Sequence, residues 1–278
     1  MAKRALCIGI NNYPGTHMDL QGCVNDAHDW AAVLQARDFA VSTLVDAQAT
    51  KAAMVQAMTD LIGTAVSGDS LVISFSGHGT YQPDTDGDEV DGLDEALCPY
   101  DIQISRAALI DDEIRTIFGT RKAGVRLVLI SDSCHSGTVT RAAPAEPEAD
   151  APRPRFMPMG NWLPEDQLPR NRSGHVAATI AAVSSTSPFL GAYSKQQGDL
   201  LLAGCKEGPN NYSYDARIAG RYNGAFTYYA LKTLKALPAG ATHADWHRAV
   251  CDYLPSASYP QSPQILGNTA ARRQKVFA

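Results

Sequence analysis

The chain has 278 residues, 45% hydrophobic and 19% charged, which excludes a disordered tail, a collagen-like repeat and a coiled coil and allows one sizeable globular core. Lys and Arg number 24 against 29 Asp and Glu, a net charge of -5 that offers no general field for nucleic acid or anionic lipid, so neither is an expected partner. The 6 cysteines are scattered, and no pair has the Cys-x-x-Cys spacing of a zinc knuckle or a dithiol site.

After Met1-Ala2-Lys3-Arg4 the apolar run from Ala5 to Ile10 is too short for a signal-peptide core or a bilayer span, so a cytoplasmic protein with reduced thiols and no membrane contact is expected. That run, stopped by Asn11-Asn12-Tyr13-Pro14-Gly15, predicts a strand buried on both faces. Val24, Ala27, Ala31 and Leu34 recur at helical spacing between Cys23 and Arg37, with Asn25 and Asp26 in the first turn. Ala40 to Val45 predicts a second strand and Lys51 to Val66 a second helix. A third strand, Ser70 to Ser76, runs into Gly77-His78-Gly79, and a fourth, Arg126 to Ser131, runs into Asp132-Ser133-Cys134-His135-Ser136-Gly137. Further strands are predicted at Val176 to Val183 and Leu200 to Ala203, and helices at Gly224 to Ala236 and Thr242 to Leu254.

Alternating strands and helices predict an α/β layered sheet, in which functional groups gather beyond the carboxyl ends of the strands. Between Val139 and His175 seven prolines interrupt any periodicity, and a loop of this length inside a compact domain is functional or unstructured.

A thiol in a Gly-bearing turn at a strand end becomes a nucleophile when a base takes its proton. Cys134 fits that description, and His78, between Gly77 and Gly79, is the candidate base. His135 is a poor rival, since an adjacent residue rarely reaches the thiol in good geometry. The N–H groups of Gly79 and Cys134 are candidates for an oxyanion hole. The structural alternative is a core cysteine and a turn histidine, since free Cys is commonly buried.

Ser74 to Gly79, followed by Asp132 to Gly137, resembles the signature of the caspase-like cysteine peptidases, specifically metacaspases and their bacterial relatives. The similarity extends through Ala5 to Asn11, Gly22 to Ala27, the acidic stretch from Asp86 to Asp94, and Gly224 to Tyr228. It implies a single three-layer α/β/α sandwich over residues 1–278, its central sheet mixed and mostly parallel. The parts are a dyad-bearing region (1–138), a Pro-rich loop (139–175) and a small-subunit-like region (176–278). It also implies a monomeric endopeptidase that acts on proteins or peptides after Arg or Lys, with Cys134 attacking and His78 as base and then acid, and no organic cofactor. The pocket for the basic side chain maps onto Cys23, Asp26, Ser76, Asp132 and Asp215. Independently of the resemblance, an Asp to Arg pair in a partly dry pocket is a strong, selective contact, whereas Asp26 alone would also be explained as a helix first-turn residue.

Asp84 to Glu95 has carboxylates at EF-hand spacing, but Glu89 stands where that loop needs Gly, so an EF-hand is rejected. By resemblance, calcium as an activator would be held by Asp94, Asp111 and Asp112, with Arg141 in place of a fourth acidic ligand. The alternative is that Asp111 or Asp112 caps a helix from Glu113 to Phe118. A cut after basic residues would make Arg141, Arg153, Arg155, Arg170 and Arg172 self-cleavage candidates in an exposed, unstructured loop. The remaining alternatives are a caspase-fold adaptor without turnover and a related peptidase specific for Asp or Asn; buried like charges argue against Asp.

Overall fold

A six-stranded sheet carries the chain. The computed structural model describes residues 1–84, 93–134, 151–168, 199–206 and 211–278. The central strands are β1 (Lys3–Gly9), β2 (Ala40–Val45), β3 (Ser70–Ser76), β7 (Arg126–Asp132), β9 (Asp199–Ala203) and β12 (Gln264–Gly267). Their order is β12-β9-β7-β3-β1-β2. Every pair is parallel except β12 with β9, so the expected mixed, mostly parallel sheet is found. Parallel strands buried on both faces need apolar residues at successive positions, and Leu6, Cys7 and Ile8, or Leu71, Val72 and Ile73, supply them.

Alternate residues of these strands feed two cores. On one face Leu6, Ile8, Leu71, Ile73, Leu127 and Leu129 share a core with Met54 and Met58 of α2 (Lys51–Gly63) and Ile114 and Phe118 of α4 (Asp111–Gly119). On the other, Ala5, Cys7, Val72, Val128 and Ile130 share one with Trp30 of α1 (Cys23–Gln35), Phe226 of α5 (Ala225–Ala236) and Trp246 of α6 (His243–Cys251). The result is the expected α/β/α sandwich.

Two smaller sheets frame the carboxyl ends of β3 and β7. One joins β4 (Gly79–Pro83), β5 (Leu93–Leu97) and β6 (Leu109–Ile110); the other joins β8 (Arg153–Pro154), β10 (Tyr214–Ile218) and β11 (Arg221–Gly224). None of these short strands was predicted. The helix predicted from Glu113 begins at Asp111, so neither Asp111 nor Asp112 is its cap; the Glu113 carboxylate instead accepts from the Ile110 N–H at 3.3 Å. The remaining described α-helices are the short α3 (Ile102–Ser105) and α7 (Thr269–Arg273).

The Pro-rich segment differs from its expected form. Residues 151–168 are built into the protein: Arg153 and Pro154 pair with β10, Arg155 and Met157 are fully buried, and Trp162 is 1% exposed. Arg155 is therefore not an exposed loop residue. Proline disrupts helical and ladder periodicity, but it does not prevent side chains on either side from packing. Arg141, Arg170, Arg172 and the strand predicted at Val176 to Val183 lie outside the described residues.

Candidate active site

The site lies where β3 and β7 end. Helix α1 is brought close to β1 by Gly9, where a Cβ would collide with the Cys23 carbonyl and Ala27. Its first turn is capped from a distant loop, because the Asn11 Oδ1 accepts from the N–H groups of Cys23 at 2.8 Å and Val24 at 3.2 Å. This orients the first turn, with Cys23 and Asp26 both fully buried. Asp132 ends β7 in register with Ser76 of β3, and Asp215 on β10 is in register with Gly224 of β11.

Asp26, Asp132 and Asp215 converge on one guanidinium, that of Arg155. Its Nη2 donates to Asp26 at 2.7 Å and to Asp215 at 3.0 Å, and its Nη1 lies 3.2 Å from Asp132. Each carboxylate is also held by its own donors. Asp26 accepts from the Asn223 side chain at 2.9 Å and from the Gly224 N–H at 3.1 Å. Asp132 accepts from the Thr227 N–H at 2.9 Å, the Thr227 hydroxyl at 2.7 Å and the Ser213 hydroxyl. Asp215 accepts from the N–H groups of Gln21 at 2.8 Å and Gly22 at 2.9 Å. Three acidic side chains thus face one cation, an excess of negative charge held by other donors as well as by that cation. Burial is the main reason the Asp26 carboxyl is pushed up to about 7; Arg155 lowers it and Asp132 raises it. Cys23 lies within electrostatic reach of Arg155 and the three carboxylates, and its thiol is raised well above its usual range, first by burial. Ser76 is buried beside Asp132 in the sheet, and its carbonyl accepts from the Ile10 N–H at 3.0 Å.

The backbone of Arg155 is held as firmly as its side chain. Its carbonyl accepts from the N–H groups of Gly79 at 3.0 Å and Cys134 at 3.1 Å, and its own N–H donates to the Ser213 carbonyl at 2.8 Å. The next residue but one, Met157, donates its N–H to the Gly79 carbonyl at 2.9 Å. The carbonyl of one arginine therefore lies between the two amides singled out in the sequence, while its side chain lies among the acidic residues.

His78, the neighbour of Gly79, and Cys134 make no hydrogen bond to each other among the described residues. The His78 Nε2 is 2.6 Å from the Met18 carbonyl. A carbonyl only accepts, so Nε2 carries the proton and Nδ1 the lone pair. Nδ1 is buried and makes no well-formed hydrogen bond, although the Arg155 backbone lies close enough to the ring to oppose the lowering of its pKa. The Tyr13 hydroxyl accepts from the His78 N–H at 2.8 Å, and the two rings lie 4.9 Å apart. The Cys134 thiol is engaged from another side: its Sγ accepts from the Ser213 N–H and lies 3.4 Å from the Cys205 Sγ. Burial, then the Cys205 thiol, raise the Cys134 thiol well above its usual range, whereas burial lowers His78 to about 4 and the Met18 hydrogen bond opposes that shift.

Met18, Tyr13, Ser213, Asn223, Gly224 and Thr227 support these groups and were not singled out individually. Only the positions of Asn223 to Thr227 beside a glycine at a strand-to-helix join offered a signal. Cys205 is buried and adjoins Cys134, whereas Cys251 is exposed.

Asp94 and Asp111 are both buried. Arg115 pairs with Asp111 at 3.0 Å and with Asp112 at 2.6 Å. The second oxygen of Asp111 is buried without a hydrogen-bond partner. Burial chiefly pushes this carboxyl up to about 7; Arg115 lowers it, while Asp112 and Asp94 raise it. That unpartnered oxygen suits a cation, although among the described residues no three His, Cys, Asp or Glu side chains are grouped to hold one. Residues 85–92, which include most of the acidic loop, lie outside the described residues.

A family profile described as "Metacaspase, peptidase C14 domain" matches residues 3–143. The chain belongs to the metacaspase family. Metacaspase-1 of Ajellomyces capsulatus is 32% identical over 95% of the chain and 79% of its own length. Metacaspase-1A of Neurospora crassa is 31% identical over 95% of the chain, which spans only 62% of that relative. Metacaspase-7 of Arabidopsis thaliana is 44% identical over 49% of the chain and 35% of its own length. Among solved structures, a protein of Geobacter sulfurreducens is similar with a TM-score of 0.73 and 33% identity, over 100% of this chain and 99% of that one. Caspase-1 of Spodoptera frugiperda shares the fold alone, with a TM-score of 0.58 at 12% identity over 95% of this chain and 86% of its own. No described helix is long and apolar enough to cross a membrane.

Proposed function

We propose that this metacaspase is a cysteine endopeptidase that cuts after Arg or Lys. The observation that carries the reading is Arg155, whose side chain meets Asp26, Asp132 and Asp215 while its carbonyl accepts from the Gly79 and Cys134 amides. A substrate at the point of attack needs both contacts at once: charge complementarity to fix the side chain, and two donors to receive the charge that develops on oxygen. Arg outranks Lys because its planar fork reaches several carboxylates together.

In this mechanism the Cys134 thiol turns from Ser213 toward His78 and gives its proton to Nδ1. The sulfur attacks the carbonyl carbon, and the oxyanion is received by the N–H groups of Gly79 and Cys134. As the tetrahedral intermediate collapses, His78 returns the proton to the leaving amine, and a thioester remains on Cys134. Water, deprotonated by His78, then releases the carboxylic acid and the thiol. The Met18 carbonyl keeps Nε2 protonated, which leaves Nδ1 as the base throughout.

Self-processing belongs to the same reading. Of the two candidate arginines among the described residues, Arg153 and Arg155, it is Arg155 whose placement favours a cut, so the bond cut is that between Arg155 and Phe156. Calcium stimulation rests on Asp94 and Asp111. An ion there would neutralise two buried carboxylates, and Asp112 would join only by releasing Arg115.

The test uses peptides ending in Arg, Lys, Asp or Asn before a fluorogenic group, with wild type and Cys134→Ala, in calcium and in chelator. Arg or Lys turnover lost in Cys134→Ala is expected. No turnover under any condition would overturn the reading, and Asp or Asn preference would overturn the specificity.

A further inference from the structure

The peptidase reading assigns the pocket before the cut; the surface beyond it has its own construction. Phe156, immediately after Arg155, is 3% exposed. Its ring stacks on Tyr81, with centroids 5.7 Å apart and an interplanar angle of 22°. It forms a small apolar cluster with Cys134 and Cys205, against which Tyr81 and Tyr212 pack. This cluster is separate from both main cores.

The placement follows from the backbone. Gly79 gives its N–H to the Arg155 carbonyl and its own carbonyl to the Met157 N–H, so a single residue pins the chain on both sides of the bond in question. Phe156 lies between those contacts, bridged in parallel to Gly79. Tyr81 is two residues farther along β4, hence on the same face of the strand as Gly79. The glycine fixes the backbone and the tyrosine two positions on receives the side chain. The surface offered is flat, aromatic and thiol-lined. Such a surface favours an offset-stacked ring over a small or charged group, which would leave it uncovered or bury a charge unpaired.

We propose that Tyr81, with Tyr212 and Cys205, forms a specificity subsite for the residue after the cut, and that it takes an aromatic side chain. The subsite rests on the peptidase reading and extends it from the residue before the cut to the one after. Phe156 is its internal occupant. Arg-Phe is thus the dipeptide the site is built to hold, and protein substrates carrying a basic residue followed by an aromatic one are favoured.

The experiment compares two internally quenched peptides that differ only in Phe or Gly after a single Arg. The enzymes are wild type, Tyr81→Ala and Tyr81→Phe. Rates are divided by the same enzyme's hydrolysis of an arginine ester, which has no residue after the cut, so a general loss of activity cancels. Wild type is expected to prefer Phe over Gly by about tenfold or more in kcat/KM. Tyr81→Phe keeps the preference because the stack survives, and Tyr81→Ala reduces it to within about twofold. Equal rates for the two peptides in wild type, or a preference that persists in Tyr81→Ala, would overturn the subsite while ester hydrolysis upholds the peptidase reading. Failure of wild type to hydrolyse the ester would overturn the peptidase reading and the subsite with it.

Discussion

The Arg155 guanidinium lies 2.7 Å from the Asp26 carboxylate with both side chains fully buried. Arg155 is followed by a peptide bond whose carbonyl accepts from the Gly79 and Cys134 amides. Purified protein is therefore expected to yield a new amino terminus at Phe156. Arg155→Gln, which keeps hydrogen-bonding capacity but removes the charge, should slow that cut about a thousandfold or more, because buried acidic groups are left unpaired. Arg155→Lys should fall between, since an ammonium cannot reach three carboxylates as a fork does. Intact mass and amino-terminal sequencing over time read all three. Cleavage of Arg155→Gln at the same bond and rate would count against the assignment.

Gly224 offers a test of pocket space without a change of charge. A Cβ there would collide with the Asp132 carboxylate and the Arg155 guanidinium. Its φ of -67° and ψ of 135° are open to alanine, so Gly224→Ala adds crowding but no backbone strain. We expect turnover of Arg peptides to fall about a hundredfold or more, since a displaced side chain also displaces the scissile carbonyl. The same crowding should expel Arg155. In a Cys134→Ala background, where no self-cut occurs, limited trypsin digestion then cuts after Arg155 faster with Gly224→Ala than without it, and equal protection in both would show that the pocket tolerates the methyl group.

The sheet, its layers and the turns bearing His78 and Cys134 were legible because apolar runs and helical spacing are local signals. Ser70–Ser76 and Ala40–Val45 appear as predicted. What escaped is made of non-local pairing. The strand Arg153–Pro154 is two residues long and exists through its partner β10, and no pattern within seven prolines announces it. In the sequence Arg155 is one of five arginines in a loop, and its place at the convergence of α1, β7 and β10 is not a local signal. The carbonyl of Met18, which fixes the His78 tautomer, is a backbone atom and leaves no mark in the sequence. Asp26 shows the converse. Its place in the first turn of a helix fits a dipole role, yet its carboxylate is committed to Asn223, Gly224 and Arg155.

Burial pushes His78 down to about 4 and the Cys134 thiol well up, so both are neutral across the usual working range. Proton transfer then accompanies attack rather than preceding it. With Arg155 in place, the imidazole itself is expected to cost no rate from about pH 8 to about pH 5 and to cost rate toward about pH 4 as it takes a proton. The Asp26 carboxyl, raised to about 7, loses its charge inside that range and slows the cut by weakening the hold on Arg155. The measurement is the amount of new Phe156 terminus formed at short times across that range. Asp26→Asn removes the pocket contribution, and a tenfold loss per pH unit beginning near 6.5, the ordinary histidine value, that persists in Asp26→Asn would show that burial does not hold the His78 imidazole low.

Stability gives a separate pH signature through His243 at the start of α6. This ring is 2% exposed and meets Phe277 edge-on at 5.9 Å. Burial is the main cause that lowers it from 6.5 to about 4. Between those values the unfolded chain binds a proton that the folded chain does not. Stability therefore falls as pH drops through this window and is fully present above it, a contribution of up to about 3 kcal/mol. His78 acts with the same sign. Asp26 and Asp111, raised to about 7, act with the opposite sign, since the fold keeps protons that the unfolded chain loses above 3.8. The profile of wild type is thus flattened by opposing groups, and a difference isolates one of them. Urea unfolding of wild type and His243→Leu at pH 7 and pH 4.5 should show the variant gaining about 2 kcal/mol relative to wild type at the lower pH. A constant difference between the two proteins would mean that His243 is protonated within the fold.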